Sequence, residues 1–106
     1  MINSTTEHRP EVAAARSPVV HKVKSWPQFF EAALSGNKTH EVRRLTDRDY
    51  QVGDRLCLQE YDPITGTYLG RELMVRITYM TSAEIPCALS EECLHSDFCI
   101  LSIVKL

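Results

Sequence analysis

A chain of 106 residues with a formal net charge of −2 holds one domain, with enough sequence for one modest core and too little for two. Its hydrophobic share of 43% and charged share of 25% are those of an ordinary globular protein, and its slight acidity argues against a surface that coats nucleic acid in bulk. No apolar run reaches the roughly 18 to 20 residues that span a bilayer, and no signal-like stretch opens the chain, so cytoplasmic residence without a membrane partner is the expectation.

Residues 1–18 end at Pro18 without a sustained apolar period and read as a flexible leader to a single domain over 19–106. "VVHKVK" (19–24) is a short strand of β-branched residues. In "SWPQFFEAALSG", Ser25 is placed to cap a helix, Pro27 suits its first turn, Gln28 completes a capping box and Gly36 stops it. Trp26, Phe29, Phe30, Ala33 and Leu34 follow helical spacing and predict a core face, with Trp26 equally suited to stacking on a base.

From Thr39 the alternation puts Thr39, Glu41 and Arg43 on one strand face and His40, Val42 and Arg44 on the other. "DRDYQVGD" then turns into "RLCLQEYD", where Leu56 and Leu58 share a face, and "PITG" makes the next turn. "RELMVRITYM" has a period of two that points Leu73, Val75, Ile77 and Tyr79 inward. A connection over residues 82–97, with a short helix over "ALSEEC", leads to the closing strand "DFCILSIVKL". The order β-α-β-β-β-(short α)-β predicts an α+β fold: a small mixed barrel of about five strands, with its main helix after the first.

Charge and cysteine usage narrow the chemistry. Residues 16–55 carry eight Lys or Arg against five Asp or Glu, while residues 56–106 carry three against seven. A basic segment in an acidic protein points to a local anion site. Cys57, Cys87, Cys93 and Cys99 read as thiols, with Cys57 and Cys99 on strands and the other two in loop or helix. Their spacing lacks the tight pairs of a structural zinc site, so neither metal nor cofactor is expected.

The segment "GNKTHEVR" carries the G-x-K-x-x-E-x-R pattern and resembles the ASCH superfamily, which has a PUA-like β-barrel fold. A closer resemblance is to a bacterial and phage family of uncharacterised ASCH-like proteins. It rests on His21 with Lys24, the aromatic-rich helix, Lys38-Thr39-His40-Glu41-Val42-Arg43, "DRDYQVGD", and a hairpin with "EYD" and "YLGRELMVRITYM". The resemblance implies a pocket between helix and barrel, lined from the signature strand, that binds RNA or a nucleotide.

The residues themselves support a pocket there. Thr39, Glu41 and Arg43 lie on one strand face at a spacing of about 6.6 to 6.8 Å, and Lys38 follows the helix stop closely enough to reach the same face. Lys38 and Arg43 suit phosphate, and Glu41 suits an amino group on a base edge. The plain alternative is a Glu41–Arg43 salt bridge that fixes the mouth of the barrel. His21, Lys24, Trp26 and Arg48 are candidates for the same pocket, with Tyr61, Tyr68 and Arg71 as its far wall. A nucleic-acid-processing enzyme, a ribonuclease or modified-nucleoside amidohydrolase, is the second reading. ASCH-like amidohydrolases place a nucleophilic Thr where this chain has Glu41, and Glu is a poor substitute for an acyl-accepting hydroxyl. A protein-interaction module, phage-encoded, is the third.

Overall fold

The computed structural model describes residues 16–106, so most of the expected leader lies outside the described residues. The elements are β1 (Val20–Ser25), α1 (Pro27–Leu34), β2 (His40–Arg44), β3 (Arg55–Asp62), β4 (Thr67–Thr81), α2 (Ser90–Cys93) and β5 (Phe98–Lys105). The strands form one mixed sheet in the order β1-β3-β4-β5-β2. β1 runs parallel to β3, and the other neighbours are antiparallel. This is the α+β order predicted, curled into a half-barrel with β1 and β2 as its edges.

Alternation along the strands builds the core. Leu56, Leu58, Val75, Ile77 and Leu101 are buried at 1% exposure or less, and Phe30 of α1 closes over them at 1%. Burial of each such side chain contributes roughly 1.5 to 3 kcal/mol. Cys57 and Cys99 are buried on β3 and β5, whereas Cys87 and Cys93 are exposed. Among the described residues, no three His, Cys, Asp or Glu side chains group as metal ligands, and no helix is long and apolar enough to cross a membrane.

Tyr79 departs from the predicted inward face. The β4–β5 register shifts between Ile77 and Tyr79, which turns Tyr79 out to 57% exposure and lets Met80 pack against the core instead.

The helix start also differs. Ser25 remains in β1, paired with Glu60 of β3, and Trp26 takes the N-cap position without a side-chain cap bond. The capping box does not form because the strand ladder claims Ser25 first. Pro27 alone marks the start, at a position whose missing N–H would have had no helical partner. Nor is the apolar face uniformly core: Phe30 and Ala33 are buried, while Trp26 and Phe29 are 46% and 45% exposed. At about 100° per residue, Phe29 lies at the margin of the stripe that Phe30 and Ala33 define, and Trp26 precedes the first helical residue.

Side chains hold the ends of the sheet. Among the described residues, β1 and β2 share no ladder. Arg43 donates to Lys24 O at 2.9 Å and Arg48 to Lys22 O at 2.8 Å, so alternate carbonyls of the β1 edge are satisfied across a seam. Near the start of β1, the buried carboxylate of Asp54 accepts from both Nη atoms of Arg16 at 2.9 Å, from the amides of Val19 and Gln51, and pairs with His21 Nε2 at 2.8 Å. Burial opposes its ionisation, but the bonds from Arg16, His21 and the two amides outweigh it and hold the carboxyl well below the usual carboxylate range.

Candidate functional site

The seam between β1 and β2 opens at the start of α1 into a cavity of about 280 Å³. Trp26, Phe29 and Val42 supply apolar surface to it, and Lys24, Lys38, Glu41 and Arg43 supply charge. Local structure explains how each arrives. Trp26 and Phe29, three residues apart at the helix start, stack with ring centroids 6.0 Å apart. At the other end of α1, Gly36 adopts φ 85°, the left-handed conformation that ends a helix. The amides of Asn37 and Lys38 then both donate to Ala32 O, at 3.0 and 2.9 Å, which returns the chain to the helix and aims Lys38 at the seam.

Glu41 and Arg43 lie two residues apart on β2 and therefore on the same face. Glu41 is buried at 4% exposure, with Oε2 accepting from Lys38 Nζ at 2.6 Å and Oε1 from Arg43 Nη2 at 2.7 Å and Nε at 3.2 Å. Lys38 also donates to His40 O. One buried carboxylate thus fixes two cations, each with N–H donors to spare. The salt bridge foreseen as the plain alternative is present, and it forms one wall of the cavity. Fixed cations beside an exposed aromatic pair can hold an anion next to a flat ring.

The predicted residues divide between this cavity and other places. Lys24, Trp26, Lys38, Glu41 and Arg43 meet in it. Thr39 is exposed just before β2 and lies outside the lining, its carbonyl accepting from the Ile103 amide. His21 is buried against Asp54 and Tyr50. Arg48 lies farther along the seam, and Arg71 binds Glu60 and Glu31 with its guanidinium over the Phe30 ring. Tyr61 and Tyr68 pack edge to face with Lys24 Nζ 4.3 Å from the Tyr61 centroid; neither lines this cavity, but Tyr68 lines a second one farther along the seam, with Lys24, Arg43 and Arg48. Sequence reasoning missed Phe29 and Val42, and with them Ser25 and His40. The separation of Phe29 from Trp26 by one helical turn was the available signal for the first, and Val42 carried none.

A five-strand mixed half-barrel with a helix over one end and an aromatic, cation-lined cleft at its seam defines a small α+β domain in class. The chain belongs to the domain of unknown function family DUF3850, which it matches over residues 20–103. A protein of Escherichia phage P2, described as an uncharacterized 12.9 kDa protein in the GpA 3′ region, is 39% identical over 62 residues, 58% of this chain and 54% of the phage protein. The match therefore spans about half the length of that relative.

Proposed function

We propose that the seam cavity binds a nucleotide-containing ligand, most simply single-stranded RNA or a modified nucleoside phosphate. One observation carries this reading: the stacked, half-exposed Trp26–Phe29 pair stands beside Lys38 and Arg43, which Glu41 holds in place. An aromatic platform accepts any base, and fixed cations accept the phosphate attached to it. The resemblance of the motifs to ASCH proteins with a PUA-like fold supports the same reading. Glu41, in the place where ASCH-like amidohydrolases carry a nucleophile, has both oxygens engaged by cations, which suits an organising role.

The test is the affinity of a short mixed-sequence single-stranded RNA across a salt series, with melting curves of the same variants. Lys38→Ala is expected to weaken binding about tenfold or more and to flatten the salt dependence, since one phosphate-neutralising charge is gone. Glu41→Gln is expected to lower both stability and affinity, because it releases the two cations together. Lower melting midpoints in both variants with unchanged RNA affinity would reduce the cluster to a structural hinge.

A further inference from the structure

Among the described residues β2 has one neighbour, β5, so its other edge faces the seam. Two bonds at the ends of the ladder fix which residues face that edge. Ile103 N donates to Thr39 O at 3.0 Å, and Leu45 N donates to Asp97 O at 2.7 Å. In an antiparallel pair, bonded residues alternate with residues whose N–H and C=O point the other way. Counted by twos from Thr39 to Leu45, Glu41 and Arg43 bond toward Leu101 and Cys99. His40, Val42 and Arg44 therefore turn their main-chain groups toward the seam. His40 and Val42 line the first cavity beside Glu41 and Arg43, so the open edge borders it.

Most of that edge is already engaged. Lys38 Nζ donates to His40 O, and Asp47 N to Arg44 O at 3.2 Å. Across the seam, the β1 carbonyls of Lys22 and Lys24 accept from Arg48 and Arg43. Among the described residues, Val42 is the one member of the three whose N–H and C=O both lack a partner. A guest strand needs a run of such residues, and this edge offers one, which disfavours an extended peptide. A flat ligand that needs one donor and one acceptor fits it. Val42 is 55% exposed and lines the cavity, so a ligand can reach it.

We infer that the main chain of Val42 reads the base in the first cavity: its C=O accepts from a base N–H, and its N–H donates to the neighbouring base acceptor. In an extended residue the two groups lie side by side on one edge of the strand. Every base carries a matching pair on its Watson–Crick edge, an N–H beside a ring nitrogen or carbonyl. Trp26 and Phe29 then serve the ring face, Lys38 and Arg43 the phosphate, and Val42 the edge. The ligand class narrows to nucleotides whose base edge is unblocked. This role rests on the nucleotide reading, since a base must enter the cavity to meet Val42.

Uridine and adenosine monophosphates, each compared with its blocked counterpart, N3-methyluridine or N6,N6-dimethyladenosine monophosphate, test the role. They are titrated into the full chain with the Val42 amide followed by NMR. Blocking is expected to weaken binding about tenfold, since it leaves a Val42 group unpaired, and the unblocked nucleotides should shift the Val42 amide saturably. Val42→Pro removes the N–H, which a strand tolerates where that N–H faces an open edge. It should lose about tenfold more affinity than Val42→Ala, which keeps the N–H. The wild-type comparison of blocked and unblocked nucleotides decides the matter even if Val42→Pro fails to fold. Equal affinity for the two, a Val42 amide that ignores both, or equal losses in Val42→Ala and Val42→Pro would overturn the role. In each case, nucleotide binding that still weakens in Lys38→Ala would leave the nucleotide reading standing. Binding of no nucleotide, with RNA also indifferent to Lys38→Ala, would instead remove the nucleotide reading and this role together. Val42 amide shifts produced by an extended valine-rich peptide and by no nucleotide would assign the edge to strand addition and overturn the role.

Discussion

Two buried carboxylates do different work. Glu41 faces the seam and organises cations, whereas Asp54, 1% exposed, ties Arg16, His21 and the start of β1 to the turn before β3. Removing one partner of such a buried cluster strands the others, so Asp54→Ala should cost roughly 3 to 5 kcal/mol of stability in a denaturant melt. The pH dependence follows from the direction of the shift. The Asp54 pKa is depressed in the fold and lies near about 3.9 when unfolded, so its contribution is present above about pH 4 and is lost as pH falls through the folded value. Thermal melts on acidification should therefore fall more steeply for the wild type than for Asp54→Asn. Equal slopes would show that Asp54 is not the titrating group. Glu41 was legible in the sequence because its partners, Lys38 and Arg43, are three and two residues away. Asp54 was not, because its side-chain partners are 38 and 33 residues distant and one sits in the stretch read as a flexible leader.

Element order and strand identity were legible from periodicity, but the joins between elements were set by long-range pairing. Ser25 carries a capping signature that the β3 ladder overrides, and the bulge after Ile77 reverses an alternation that the sequence continues without a break. The stop of α1 was legible, since Gly36 is the residue its left-handed turn requires. A Cβ there would meet nothing within 4 Å, so Gly36→Ala isolates the conformational cost, about 1 to 2 kcal/mol, from any clash. Because the same turn aims Lys38 at the seam, Gly36→Ala should also weaken RNA binding several-fold. Lost stability with unchanged affinity would show that Lys38 does not depend on the turn.

Across the described residues, the two edges of the half-barrel share no ladder with each other and are joined by Arg43 and Arg48, and both cavities lie along that closure. The basic first half of the chain supplies every charged residue of the seam, which is why a local anion site was legible in the charge distribution. Its division into two cavities was not, since that depends on where the edges part. Trp26 is the only tryptophan of the chain, so emission excited selectively at tryptophan, apart from the tyrosines, reports from the wall of the first cavity. Titration of a short single-stranded RNA at low salt, followed by that emission, tests the nucleotide reading most directly. Saturable quenching from base stacking, shifted about tenfold or more to higher RNA concentration in Lys38→Ala, is the predicted result. Emission that stays flat throughout the titration, or quenching indifferent to Lys38→Ala, would contradict it.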